Sequence, residues 1–314
     1  MKTVIISAPA HPLLAQGFQQ RGYHVVDRPD ISYDELKEIV SAAHGIVLTT
    51  RIRFDKNALE KAENLEWIGR LGSGMELIDK EYALEKGITC ISTPEGNRNA
   101  VGEHTLGMLL NLMKHISKSA NEVKKGHWLR NENTGTELSG KTVGIIGYGN
   151  TGSAFARLLQ PFNVKILAYD KYRKNFGNEY VQEVSKEQLL EEAQIISLHI
   201  SLNKDSNHFA NSGFFSALKK KPFFLTTCRG GVTHTEALVE ALRKNQISGA
   251  GLDVLENEKL DSYSASEKTA LSYLTSHPHV IVTPHVAGYS HEAFRLMAEI
   301  LLQKIDVLEG RTTL

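Results

Sequence analysis

The run Gly147-Tyr148-Gly149-Asn150-Thr151-Gly152 follows an apolar stretch, Thr142-Val143-Gly144-Ile145-Ile146, and opens a helix-like segment over 153–159. In the order strand, GxGxxG, helix, each glycine has a distinct purpose. Gly147 permits a tight turn, Gly149 lets the backbone approach a pyrophosphate, and Gly152 allows the helix to pack close to the strand. The helix N-terminus then offers unpaired N–H groups to the anion. Residues 147–152 are therefore the expected phosphate cradle. Asp170 ends the next apolar run, 165–169, where a carboxylate accepts hydrogen bonds from the adenosine ribose hydroxyls. The same charge repels a 2′-phosphate and favours NAD, although Lys171 and Arg173 offset part of that repulsion. A glycine-rich turn with no ligand is the alternative for the motif alone, and the flanking strand, helix and acid weigh against it.

Such a site needs strands to present it. Short β-branched runs at 4–7, 45–50, 66–71 and 89–92 alternate with amphipathic segments such as 32–43 and 56–63, the pattern of parallel βαβ units. A second series of runs, 142–146, 165–169, 194–198, 222–227, 248–253 and 280–283, predicts a second parallel sheet. Between the series, 99–125 consists of good helix formers with Leu106, Leu109, Leu110 and Met113 near helical spacing, and it is read as the helix connecting two domains. The segment 291–309 is a further helix with Phe294, Met297, Ala298, Leu301, Leu302 and Ile305 on one face, and the polar stretch 256–265 is read as a surface loop.

A chain of 314 residues with zero formal net charge and dispersed basic residues fits two domains and lacks the footprint of a nucleic-acid or membrane-surface binder. The partner expected is a small anionic substrate. The two cysteines, Cys90 and Cys228, have no CxxC or metal-ligand spacing, so no metal is expected and both read as reduced residues of a cytoplasmic protein. No run resembles a signal or spanning segment.

Three stretches carry a resemblance: Cys228-Arg229-Gly230-Gly231, Ser248 through Glu256, and Val282-Thr283-Pro284-His285-Val286-Ala287-Gly288. They resemble the signatures of the D-isomer-specific 2-hydroxyacid dehydrogenases, nearest to short D-3-phosphoglycerate dehydrogenases, and the likeness runs through essentially the whole chain. It implies an α/β fold of two doubly wound parallel-sheet domains. A Rossmann-type cofactor domain, 99–286, would be inserted into a flavodoxin-like substrate domain made of 1–98 and 287–314, with a closing cleft between them and a homodimer as the usual assembly. The resemblance makes Arg229, Glu258 and His285 catalytic. Arg229 would grip a carboxylate and polarise the carbonyl, His285 would exchange the proton, and Glu258 would orient the imidazole and favour its charged form. Asp253 is implied among the cofactor-binding or site-supporting residues. Lys259 stands where the family commonly has proline after its glutamate, so Glu256 remains a second candidate. Cys228 and His234 also depart from the family's usual residues.

On the substrate side, the resemblance makes the loop at Ser73 and Gly74 a backbone nest for the carboxylate and places Asn97 at the cleft. Val101-Gly102-Glu103-His104-Thr105 matches the start of the family's linking helix, so His104 reads as a helix residue rather than an acid–base group. Arg51 and Arg53, at the end of a strand, are either a solvated basic pair or a phosphate-binding patch. The second reading implies the couple D-3-phosphoglycerate and 3-phosphohydroxypyruvate. The alternatives are a glyoxylate, hydroxypyruvate or general 2-oxo acid reductase, and an NAD(H)-sensing corepressor-like module. Formate dehydrogenase chemistry fits less well, because that family pairs its histidine with glutamine.

Overall fold

The structure, a computed structural model, describes residues 1–311. The chain divides into two units, Met1–Arg98 with Gly288–Leu314, and Asn99–Ala287. Of the discontinuous domain expected from the sequence, 312–314 lie outside the described residues. The return to the first unit comes one residue later than the expected 286/287 boundary. Ala287 stays with the inserted unit, where its N–H donates to the Asp253 carboxylate at 2.8 Å.

The discontinuous unit is built on five parallel strands: β1 (Thr3–Ile6), β2 (His24–Asp27), β3 (Gly45–Leu48), β4 (Trp67–Arg70) and β5 (Thr89–Ser92), in the order β2-β1-β3-β4-β5. Successive side chains on a strand point to opposite faces, and both faces are apolar because both are covered. Val4, Ile6, Val47 and Trp67 face a core with Phe18, Leu301, Leu302 and Ile305, while Ile5, Ile46 and Ile68 face another with Leu36, Phe54 and Leu59. The helix His291–Leu308 thus buries its predicted stripe, with Phe294 at its edge, on the sheet face that Trp67 occupies.

The inserted unit carries β6 (Thr142–Ile146), β7 (Lys165–Tyr169), β8 (Val181–Glu183), β9 (Ile195–Leu198), β10 (Phe223–Thr226), β11 (Gly249–Leu252) and β12 (Val280–Val282). All pair in parallel, in the order β12-β11-β10-β9-β6-β7-β8. The chain reverses its direction of travel across the sheet between β6 and β9, which opens a crevice at the strands' C-terminal ends. Alternation again feeds two cores: Val143, Ile145 and Ile195 with Phe155 and Leu159, and Ile146, Ile196 and Leu198 with Phe215 and Leu238.

The helix expected over 99–125 is two helices, Pro94–Lys114 and Ile116–Lys124. The first can begin at Pro94 because the first turn leaves N–H groups unpaired in any case. It breaks at His115, whose φ of 54° cannot continue a right-handed ladder. Asn111 spans the break, accepting from the Ser117 N–H at 2.8 Å and donating to its Oγ at 2.7 Å. The division between the two units falls within the first of these helices. No described helix is long and apolar enough to cross a membrane.

Candidate active site

The glycine-rich turn joins the end of β6 to the helix Asn150–Leu159. Gly147 has φ +94° and donates its N–H to the Tyr169 carbonyl at 2.8 Å, and a Cβ there would lie 2.5 Å from the His199 carbonyl oxygen. A Cβ on Gly152 would lie 2.0 Å from the Gly147 carbonyl oxygen, so only glycine lets the helix start this close to the turn. At Gly149, by contrast, a Cβ would meet nothing within 4 Å, and no side chain caps the helix that follows. The first-turn N–H groups are left for an anion, and the turn fits a dinucleotide's pyrophosphate.

Asp170 closes the opposite wall at the end of β7. One of its oxygens accepts from the Tyr148 N–H (2.8 Å), the other from the N–H groups of Tyr172 (2.8 Å) and Arg173 (2.9 Å). Burial pushes the carboxyl up, but those three donors and the Arg173 guanidinium outweigh it and hold the group below the usual carboxylate range. Asp170 is thereby kept ionised with lone pairs to spare for ribose hydroxyls. Two members of the expected cradle act indirectly. Tyr148 turns its ring into the core, stacked on Phe176 at 4.7 Å, and contributes only backbone. The Thr151 hydroxyl lies 3.2 Å from Nδ1 of the buried His199, whose Nε2 is 2.8 Å from Ser197 Oγ.

The three residues expected to react follow the C-terminal ends of three neighbouring strands: Arg229 after β10, Glu258 after β11 and His285 after β12. The Arg229 and Glu258 loops abut, since a Cβ on Gly230 would lie 1.7 Å from the Leu255 carbonyl oxygen. Arg229 Nη1 donates to the Cys228 carbonyl at 2.6 Å. His285 Nδ1 lies 2.9 Å from Glu258 Oε2, and because a carboxylate only accepts, Nδ1 carries the hydrogen. The imidazole is 30% exposed and the carboxylate 46%, so the pair is open to a small molecule. Glu256 points elsewhere: it accepts from the Thr235 N–H and bonds His208 Nε2 at 2.6 Å, which leaves Glu258 as the acid beside His285.

Asp253, expected among the cofactor-binding or site-supporting residues, bonds the turn that carries His285. Its side chain has no exposed surface, and its oxygens are taken by Thr283 Oγ (2.6 Å) and the N–H groups of Val286 (3.0 Å) and Ala287 (2.8 Å). Its main-chain carbonyl also accepts the His285 N–H at 2.8 Å. One residue therefore clamps the turn that holds His285 at φ 54°, a backbone conformation uncommon outside glycine. His104 Nε2 joins the cluster, 3.1 Å from Thr283 Oγ. Composition and spacing gave no sign of this contact, which links residues 179 apart in sequence.

In the other unit, Ser73 and Gly74 follow β4, and their N–H groups make no hydrogen bond to other described residues. Thr93, which reasoning from the sequence missed, anchors this loop: its N–H donates to the Gly72 carbonyl at 2.9 Å, and its hydroxyl accepts the Gly72 N–H at 2.9 Å. Asn97 Oδ1 is buried with no hydrogen-bond partner among the described residues, the kind of atom a ligand donor would satisfy. Arg51 and Arg53 do not share partners. Arg51 Nη2 donates to the carbonyls of Ser7 (2.7 Å) and Ile31, while Arg53 is exposed near Asp55. The Tyr33 hydroxyl, with Arg53 as a lesser influence, holds the Asp55 carboxyl below its ordinary range.

Residues 106–287 match the family model for the D-isomer specific 2-hydroxyacid dehydrogenase, NAD binding domain. The chain belongs to the D-isomer-specific 2-hydroxyacid dehydrogenases. Among members of that family, it is 30% identical over 318 residues to the D-3-phosphoglycerate dehydrogenase of Homo sapiens, covering 99% of this chain and 57% of that protein. To the hydroxypyruvate reductase of Thermotoga maritima it is 32% identical over 272 residues, 87% of each chain. The crystal structure of D-lactate dehydrogenase from Aquifex aeolicus, complexed with NAD and lactic acid, matches with a TM-score of 0.84 and 27% identity over 99% of this chain and 96% of that one. The solved structure shares this chain's fold, while the relatives' names differ in substrate. The chain spans little more than half the length, 57%, of the phosphoglycerate dehydrogenase it matches.

Proposed function

We propose that the protein is an NAD-dependent dehydrogenase that interconverts a small D-2-hydroxy acid and its 2-oxo acid, with D-3-phosphoglycerate and 3-phosphohydroxypyruvate as the preferred couple. The observation that carries the reaction type is the His285–Glu258 bond at 2.9 Å, which engages Nδ1 and leaves Nε2 to exchange a proton. Residues 147–152 and Asp170 would hold the dinucleotide, whose nicotinamide, when bound, supplies or accepts the hydride. In reduction, Arg229 binds the substrate carboxylate beside the carbonyl, His285 Nε2 delivers a proton to the carbonyl oxygen as hydride reaches its carbon, and Glu258 stabilises the imidazolium. Oxidation runs the same proton back to Nε2. The Ser73 and Gly74 N–H groups and Asn97 support a second grip on the substrate anion.

The phosphorylated couple rests on Arg51 and Arg53, which supply cations beyond those that the carboxylate needs. The second reading, a general 2-oxo acid reductase, draws on the two carbonyls that already engage Arg51. A panel of 2-oxo acids, phosphorylated and not, assayed with NADH and NADPH, separates the two. The expected outcome is higher kcat/KM with NADH and with the phosphorylated substrate. Arg51→Ala should cost one to two decades for that substrate, at roughly 1.5–3 kcal/mol per charge-assisted contact, and leave hydroxypyruvate nearly unchanged. Equal losses for both substrates would reduce Arg51 to an anchor for Ser7 and Ile31, and equal wild-type efficiencies would favour the general reductase.

The assembly proposed is a homodimer. Ile116, Val123, Trp128 and Leu129 are 54%, 50%, 78% and 40% exposed on one stretch of the inserted unit, an apolar display that a second copy would cover. Sedimentation velocity should give twice the chain mass, and Trp128→Glu should shift the protein toward monomer. A wild-type monomer at micromolar concentration rules the dimer out.

A further inference from the structure

The geometry points to His104 as a positioning residue that acts on His285 through Thr283 and Asp253, an inference that rests on the proton-transfer role proposed above for His285. Counting hydrogens fixes how the cluster is bonded. The buried Asp253 carboxylate accepts from two backbone N–H groups, Val286 and Ala287, and from the Thr283 hydroxyl at 2.6 Å. A hydroxyl has one hydrogen, and Thr283 gives it to Asp253. Toward His104, 3.1 Å away, the same oxygen can only accept, so His104 Nε2 must carry the hydrogen, whether the ring is neutral or charged. Nε2 is also 3.5 Å from Asp253 Oδ1, near enough for its N–H dipole or charge to favour the buried anion. Among the described residues, every donor on Asp253 except His104 belongs to 283–287, the turn that carries His285. His104 comes from the helix Pro94–Lys114, so it ties the turn to a long, rigid element of the fold.

His285 needs that tie. Its backbone sits at φ 54°, and its imidazole must stay in register with Glu258, which lies in an exposed loop. A turn free to relax would lose the Nδ1–Glu258 geometry before it lost anything that holds the cofactor. His104 touches neither substrate nor cofactor in this scheme. Its effect appears in the proton-transfer step.

The test compares His104→Leu with His104→Gln, whose longer amide can still donate near the Nε2 position. Both are assayed beside wild type with NADH and the best 2-oxo acid of the panel from pH 5.5 to 9, and NADH affinity is followed by fluorescence. We expect His104→Leu to lose about tenfold in kcat, to move the alkaline fall of activity to lower pH, and to keep NADH affinity within about twofold. His104→Gln should recover most of kcat and the wild-type pH profile. Should the leucine variant fail to fold, His104→Asn, whose shorter amide cannot reach Thr283, takes its place with the same expectation. Leucine or asparagine variants with wild-type kcat and pH profile, or a glutamine variant as impaired as they are, would overturn the inference. A wild type inactive on every 2-oxo acid would instead sink the functional reading itself, so the two failures are distinguishable.

Discussion

The role proposed for His285 rests on its geometry, since the residue type alone does not give it. Bonded through Nδ1 to Glu258 and carried on a left-handed backbone, it presents one free nitrogen. His285→Ala should cost on the order of a hundredfold or more in kcat while cofactor affinity is largely kept, as for a lost acid–base group. His285→Asn is the companion variant, because asparagine tolerates the left-handed backbone. Near-normal turnover in either removes the histidine from the mechanism. Glu258→Gln should act differently. The reduction proposed needs the imidazolium, and an uncharged partner stabilises it less, so the alkaline limb of kcat/KM should move down. An unmoved limb would leave Glu258 with orientation as its sole role.

At the scale of elements, the turn between β6 and its helix has little room to vary. Gly152→Ala would put a methyl group 2.0 Å from the Gly147 carbonyl, against backbone that cannot swing aside. The helix start must then move, and NADH affinity should fall at least tenfold, measurable by fluorescence titration. Gly149→Ala, with open space around it, should fold normally and weaken binding only through contact with the ligand. A Gly152→Ala protein that binds NADH as tightly as Gly149→Ala would show that the close approach is not what matters. The motif was legible in the sequence because strand, turn and helix are contiguous there. The central strands were legible too, since runs such as Val143 to Ile146 are buried on both faces. Two of the four edge strands were not: β2 and β8 have exposed positions that dilute the apolar signal, whereas the runs of β5 and β12, just as short, were read. A single left-handed residue, His115, breaks a stretch of good helix formers without any change in composition. The carbonyls that hold Arg51 leave no trace either, because every residue has one.

For the whole molecule, the buried histidine behind the cradle makes stability depend on pH. Burial pushes His199 down from an ordinary 6.5 to about 3, so in the fold it stays neutral where the unfolded chain binds a proton. Its contribution is complete above about pH 6.5 and is lost as the pH falls from there toward 3, at up to about 1.4 kcal/mol per pH unit. Burial lowers His277 and His279 as well, with the same sign. Chemical denaturation at pH 6 and pH 5 should therefore show wild type losing roughly 1 kcal/mol more between the two than His199→Gln does. Identical losses would mean that the imidazole is not neutral in the fold.

The discontinuous unit also imposes an order on biosynthesis. The sheet face bearing Val4, Ile6, Phe18 and Trp67 is covered by Met297, Leu301, Leu302 and Ile305, which a ribosome adds only after the whole of Asn99–Ala287 has been made. During translation the inserted unit can close its cores while the part synthesised first still shows an aromatic face to any chaperone within reach. A released chain truncated near residue 290 would hold a complete nucleotide-binding unit tethered to an unfinished one. Residues made before the inserted unit would become protease-resistant after it.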